Sequence, residues 1–421
     1  MDNVLGAPAK RQGPKVNIAL VTREVSDLTN SGGIGTAVRS LCEYLALRGG
    51  HTVSIYYTGR PSLAIPGFAR QTRRRGIAFH CIISLSGLLL RKQSGRIRRA
   101  HAVLTERQHD VYLFHDFMAD GFFCIQAKRR GEAFTESLLG VVAHGSSLWV
   151  DEGNGRVADG GERKRVYAME RACCEQADFL VSPSRYLVGW MRAHGWRLPE
   201  ETRCIPNITS MPDGAPPMRA SSRLDSEALH ELVFFGRLEE RKGIRIFCDA
   251  LLSLPPDLLA GRRVTFLGKE AGFRAGVVRA ALGPLAQRGV SLSFLTGLNA
   301  PAARRYLCGD GIVAIMPSLR ENSPCVVAEC LESRIPFLAT SVGGSRELVR
   351  EEDRAFAFVD PDASRLAERL REVLGGGGLR VARPAHAKET LFAQWQSLLQ
   401  TRAHAEGSMG EQRFVKKVFG L

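Results

Sequence analysis

"VNIALVT", Val16 to Thr22, leads through "SGGIG" at Ser31 to Gly35 into "TAVRSLCEYLALRG", Thr36 to Gly49, and then "HTVSIYY", His51 to Tyr57. The first and last runs are apolar and of strand length. The middle one sets Val38, Leu41 and Leu45 on one helical face and stops at Gly49-Gly50, where glycine ends a helix cheaply. A strand that is apolar at nearly every position is buried on both faces, and two such strands joined by a helix form a parallel pair.

The same rhythm continues with "DVYLFHD" (Asp110–Asp116), "LLGVVAHG" (Leu138–Gly145) and "ADFLVSPS" (Ala177–Ser184). It breaks at Pro206 to Asp225, a stretch rich in Pro, Gly and Ser. It restarts with "ELVFFGRL", "RVTFLGKE", "VSLSFLTG", "GIVAIMP" and "PFLATSVGG". The pattern predicts an α/β protein of two Rossmann-like, doubly wound domains, 16–205 and 229–385, joined by a linker at 206–228 and facing across a cleft. Residues 1–15 read as a leader without an apolar core. In 386–421 an amphipathic helix, "KETLFAQWQSLLQ", packs back ahead of a tail. Ligands bind such sheets at the carboxyl ends of their strands, so the loops there hold the candidate chemistry.

Composition narrows the class. Hydrophobic residues make up 44% and charged residues 24%, ordinary for a globular protein, and no apolar run approaches the roughly 20 residues needed to span a bilayer. The ten cysteines are scattered without C-x-x-C spacing, so neither a zinc site nor a disulfide framework is expected, and the expected location is the cytoplasm. The formal charge is +15. Ten basic residues and no acid lie between Arg60 and Leu104: Arg60, Arg70, Arg73, Arg74, Arg75, Arg91, Lys92, Arg96, Arg98 and Arg99. Two readings stay open. One is a positive field for phosphates, acidic glycans or an anionic membrane face. The other is plain arginine bias.

Each remaining candidate follows a strand. "GRLEERKG", Gly236 to Gly243, offers Arg237 and Lys242 beside the start of a helix, a place for a diphosphate or simply a solvated charged loop. In "SGGIG" the side-chain-free Gly32 and Gly33 can bring backbone close to an anion; the motif is neither G-x-G-x-x-G nor a P-loop. His144 in "VVAHG" and His115-Asp116 in "LFHDF" close successive strands. "ENSPCVVAE", Glu321 to Glu329, places Ser323 as an N-cap and Pro324 at the first helical position, with one carboxylate ahead of the helix and one inside it. A separation on the order of 10 Å is too wide for a glycosidase pair acting on one bond. It suits a ligand with hydroxyls at both ends and a diphosphate between them.

Together these stretches resemble the retaining GT-B glycosyltransferases of the glycogen synthase-like group, family 4, over about residues 16 to 400. The most specific part is E-x7-E at Glu321 and Glu329, supported by "GRLEERKG", "SGGIGTAVRSL", "FHD", "HG" and "IPN". The resemblance implies a nucleoside-diphosphate sugar as co-substrate, of UDP or GDP type, with no other cofactor, no metal and no nucleic-acid partner. It gives Arg237 and Lys242 the leaving diphosphate and Gly32 and Gly33 an approach to the same group. Glu329 would hold the ribose, Glu321 the sugar hydroxyls, and His144 the sugar near its anomeric carbon, with His115 and Asp116 on the acceptor side. The family commonly has E-G-F-G after the first glutamate. This chain has Glu321-Asn322-Ser323-Pro324, which puts Asn322 and Ser323 against the donor sugar and leaves its identity open. A glycan, lipid-linked or other hydroxyl acceptor is implied, with peripheral contact to the inner membrane face through the basic block. A sugar-nucleotide-binding subunit without turnover and a nucleotide-sugar epimerase are the other readings of the same frame.

Overall fold

A computed structural model describes residues 14–29, 32–82, 93–156, 160–209, 218–219 and 221–400. Most of the leader, the middle of the linker, the tail, and Arg91 and Lys92 of the basic block lie outside these residues. The described residues form two compact units: 14–150 with 160–209 and 388–400, and 151–156 with 218–387.

The first unit is built on seven parallel strands in the order β3-β2-β1-β4-β5-β6-β7. These are β1 (Asn17–Thr22), β2 (Thr52–Tyr57), β3 (Ile77–Cys81), β4 (Val111–His115), β5 (Leu138–Val142), β6 (Phe179–Ser182) and β7 (Thr202–Cys204). In β1, successive side chains point to opposite faces, and both faces are covered. Ile18 and Leu20 join Val38 and Leu41 of the first helix and Leu45 of the π-helical turn that continues it, together with Leu391, Trp395, Leu398 and Leu399 from the helix at 388–400. Ala19 and Val21 pack with Ala100, Leu104 and Trp190 on the other side. That is why β1 reads as an unbroken apolar run.

The second unit repeats the plan after the short β8 (Arg223–Leu224). Its six parallel strands run β11-β10-β9-β12-β13-β14, namely β9 (Glu231–Phe235), β10 (Arg263–Leu267), β11 (Ser291–Leu295), β12 (Ile312–Met316), β13 (Phe337–Thr340) and β14 (Phe358–Val359). A last strand, β15 (Leu379–Arg380), pairs antiparallel with β8. The order reverses between β1 and β4 in one sheet and between β9 and β12 in the other, so each unit has its crevice at the carboxyl ends of those neighbours.

The strands β3, β7, β14, β8 and β15 were not expected. All but β3 are two or three residues long, and β3 buries only Ile77 fully, so their apolar signal is too weak to read. The helix after β12 runs Cys325–Glu332, one residue later than the Ser323 cap reading. Pro324 is extended at φ −67°, ψ 116°, and its carbonyl accepts from Val327 and Ala328, which makes Pro324 the cap in place of Ser323.

One glycine fixes the second crevice. Gly243 lies at φ +71°, and a Cβ there would sit 1.7 Å from the carbonyl oxygen of Pro317. The loops after β9 and β12 therefore touch through bare backbone. Gly243→Ala should destabilise the protein by at least about 2 kcal/mol through strain and forced loop separation. A melting temperature within one degree of wild type would rule out that contact.

Candidate functional site

In the second unit the loops after β9 and β12 carry one charged network. Lys242 donates from Nζ to Oε1 of Glu321, which also accepts from Ser318 Oγ at 2.7 Å. Arg241 places Nη1 3.5 Å from the other Glu321 oxygen and Nη2 3.0 Å from Glu239, and Arg237 reaches the same Glu239 oxygen at 3.0 Å. Three cations thus meet two carboxylates. Lys242, Arg241 and Glu321 are nearly enclosed, whereas the Arg237 side chain is 46% exposed. Burial works to raise the Glu321 pKa, yet Lys242 and Arg241 outweigh it and hold the carboxyl below its usual range. Burial lowers Lys242, helped by Arg241 and Arg237 and opposed by Glu321.

Local backbone explains why these side chains converge. A short turn at Glu240–Lys242 brings Arg241 and Lys242 inward, while Leu319 donates to the Arg241 carbonyl at 2.8 Å and ties the loop after β12 to it. The loop after β13 joins through Gly344, which donates to the Glu321 carbonyl at 3.3 Å. Asn322 and Ser323 are 5% and 9% exposed. The sequence reading had Arg237, Lys242 and Glu321 but missed Arg241, Glu239 and Ser318. Arg241 is one of three cations in an eight-residue loop, and residue spacing does not tell which of them turn inward.

Glu329 stands apart from that network. It is 6% exposed in the Cys325–Glu332 helix, and Arg304, from the helix Ala300–Leu307, lies 3.7 Å from its Oε1. Burial pushes its pKa up to about 7 against the pull of Arg304. Arg304 was also missed, since "APAARRYL" gives Arg304 and Arg305 equal claims.

In the first unit, His115 at the end of β4 and His144 just after β5 share a hydrogen bond, Nδ1 to Nε2, of 2.9 Å. Burial lowers His115 to about 4, partly offset by the Val142 carbonyl, and lowers His144 further below its usual value, with His115 contributing. Both rings line a pocket with Ile205, Pro206 and Asn207, the "IPN" of the sequence, and Trp395. Asp116, expected on the acceptor side, turns inward instead. It is fully buried, and its carboxylate accepts from the backbone N–H groups of Phe117, His144 and Gly145 at 2.8, 2.8 and 3.0 Å. Burial raises it to about 6 despite those donors. Gly32 and Gly33 are exposed at the start of the helix Gly33–Glu43.

The basic block divides. Arg60, Arg70, Arg73, Arg74 and Arg98 are exposed, with Arg98 over the Phe123 ring. Arg75 pairs with Glu43, an acid from outside the window. Among the described residues no group of three His, Cys, Asp or Glu side chains could hold a metal ion, and no helix is long and apolar enough to cross a membrane.

The glycosyl transferase 4-like domain model matches residues 32–207, and the glycosyl transferases group 1 model matches 230–375. No curated protein gives a significant sequence match. Among solved structures, sucrose-phosphate synthase from Thermosynechococcus elongatus superimposes with a TM-score of 0.62 at 18% identity, over 94% of this chain and 99% of that one. Alr3699/HepE from Anabaena, in complex with UDP, gives 0.57 at 14% over 96% and 100%. The lipopolysaccharide-biosynthesis glycosyltransferase WaaG gives 0.54 at 16% over 92% and 95%. At these identities the structures speak for the fold, that of GT-B glycosyltransferases. The two domain models together account for most of the sequence, and the chain belongs to the group 1, family 4-type glycosyltransferases.

Proposed function

We propose that this chain moves a sugar from a nucleoside-diphosphate sugar of UDP or GDP type to an acceptor hydroxyl, with retention at the anomeric carbon and without a divalent metal. The observation that carries the reading is the excess of cation over carboxylate at the β9/β12 switch point, where Arg237 is half exposed beside Lys242 and Arg241. Fixed cations there can neutralise the departing diphosphate, the work a metal ion does in other transferases. Support also comes from HepE, solved with UDP, with UDP and glucose, and with UDP-glucose.

In this reading Glu321 meets the sugar, Glu329 the ribose, and Asn322 and Ser323 shape the surroundings of the sugar in the second unit, while in the first unit Gly32 and Gly33 are read as phosphate contacts and His144 as a contact to a sugar oxygen. The bond from the anomeric carbon to the diphosphate oxygen breaks as the acceptor oxygen bonds to that carbon on the same face. The acceptor proton passes to the leaving phosphate. Screening UDP, GDP, ADP and dTDP for thermal stabilisation selects the base, because a ligand at about 100 times its Kd adds roughly 2.7 kcal/mol. Nucleotide release that depends on an acceptor pool then tests transfer. A new sugar nucleotide formed without acceptor would mean epimerisation, and binding without release a non-catalytic subunit.

We place the acceptor among acidic or lipid-linked glycans and the protein at the inner membrane face. The helix Ile65–Arg74 exposes Arg70, Arg73 and Arg74, and Leu63 just before it is fully exposed, an apolar lip with cations behind it. Replacing the three arginines with serine should weaken binding to anionic vesicles by about tenfold or more, each cation near the surface being worth about 1 kcal/mol. Vesicle affinity equal to wild type, together with an unchanged acceptor KM, would remove the membrane reading.

A further inference from the structure

His115, which the resemblance puts on the acceptor side, is bonded to His144, which is read against the donor sugar. It is 6% exposed, and its Nε2 is enclosed with no hydrogen-bond partner. Its Nδ1 lies 2.9 Å from His144 Nε2, and the Val142 carbonyl also acts on the ring. Two neutral imidazoles sharing one such bond have two arrangements. If His144 donated, the second proton of the pair would sit on His115 Nε2 as a buried N–H without an acceptor. If His115 donates from Nδ1, its Nε2 is left as a bare lone pair. Orphaned buried N–H groups are the rarer of the two defects in folded proteins. The second arrangement leaves His144 protonated at Nδ1, the nitrogen that His115 does not occupy.

We infer that His115 is a positioning residue that locks His144 in its Nδ1–H form, so that His144 offers the substrate a neutral hydrogen-bond donor. The backbone is fixed by the same strand end. Asp116, the next residue, accepts from the N–H groups of His144 and Gly145, so the consecutive residues of "HD" hold the ring and the main chain of His144 respectively. Burial keeps both rings neutral, which removes the alternative of a charged donor at ordinary pH. The donor would point at an oxygen, a sugar hydroxyl or the ring oxygen, and not at a substrate cation. This role for His115 rests on the glycosyltransferase reading; the tautomer itself does not.

The test therefore has two arms on the full-length protein. Nitrogen-15 spectra of imidazole-labelled protein, with His144 assigned by comparison with His144→Ala, should show a protonated Nδ1 and a bare Nε2 in His144. The reverse pattern overturns the proposal whatever the kinetics do. In the second arm, His115→Asn keeps an amide donor near the Nδ1 position, while His115→Leu removes it. The leucine variant should lose about tenfold or more in kcat, the scale of losing a partner behind a functional histidine, with the asparagine variant recovering most of that and donor KM little changed in either. His115→Leu should add nothing when His144 is already alanine. Equal loss in the asparagine and leucine variants would show a packing role and sink the inference. Unchanged transfer in His144→Ala would instead sink the donor-pocket reading of His144, with the spectra still deciding the tautomer.

Discussion

Lys242→Met is expected to leave a folded but weakened protein that binds nucleotide diphosphates poorly and has lost nearly all transfer. The ammonium is the closest partner of the buried Glu321 carboxylate, so its removal strands a charge. Losing one partner of a buried ion pair costs roughly 3 to 5 kcal/mol, but Arg241 at 3.5 Å and Ser318 at 2.7 Å remain, which brings the expectation to about 2 kcal/mol. Transfer should fall by about a hundredfold or more, since a fixed charge at the leaving group is worth several kcal/mol in the transition state. The double variant Lys242→Met, Glu321→Leu separates the two effects. With both charges gone the desolvation penalty disappears as well, so stability should return toward wild type while transfer stays lost. A double variant as unstable as Lys242→Met would show that Glu321 does not depend on Lys242. Recovery of transfer along with stability would show that neither charge serves the reaction.

That pairing also bears on how substrate enters. Glu321 was expected to meet sugar hydroxyls and Lys242 a diphosphate, two tasks on two ends of a ligand. In the structure the two are paired with each other. On the proposed reading, a diphosphate that drew Lys242 away would free a Glu321 oxygen for a hydroxyl, which would link donor binding to the readiness of Glu321.

The apolar strands with helices between them were legible because parallel strands covered on both faces leave little room for polar residues. Val16 to Thr22 shows this, with Ile18 and Leu20 on one side of the sheet and Ala19 and Val21 on the other. Of the edge strands of the two parallel sheets only Ser291–Leu295 was legible, since Thr202–Cys204 and Phe358–Val359 bury too little to leave a pattern and Ile77–Cys81 buries only Ile77 fully. The sequence put Arg237, Lys242, Glu321, His115 and His144 at or beyond strand ends, and the structure has the first three in the loops after β9 and β12 and the two histidines at the end of β4 and just after β5. What the sequence could not give was direction. Asp116 lies next to His115, yet faces backbone donors instead of the pocket, because an amide-rich strand end binds a carboxylate strongly. Arg304 reaches Glu329 from a helix that precedes it by one strand, a contact fixed only once the strands are ordered in space.

A large pH effect is expected at Glu329. Burial raises its pKa in the folded protein to about 7, whereas the unfolded chain returns it to about 4.5. A raised carboxyl favours the protonated native state, so its contribution is full below pH 4.5 and is lost as pH climbs toward 7. At pH 8 the native protein holds this carboxylate ionised at a cost of about 1 to 3 kcal/mol, with Arg304 limiting the loss. Glu329→Gln has nothing to ionise. Relative to wild type it should therefore be more stable at pH 8 and similar at pH 4.5, the gap opening between those values; measuring the difference cancels Asp116 and Glu170, which burial also raises. Nucleotide binding should change the opposite way. If the ionised carboxylate grips the ribose, wild-type affinity for UDP or GDP strengthens from pH 6 to 8, and Glu329→Gln is weaker by about tenfold at pH 8 with no such rise. A variant that is both more stable and equally tight would place the ribose elsewhere. One that is less stable at pH 8 would mean that Arg304 outweighs desolvation, and that Glu329 is a structural ion pair.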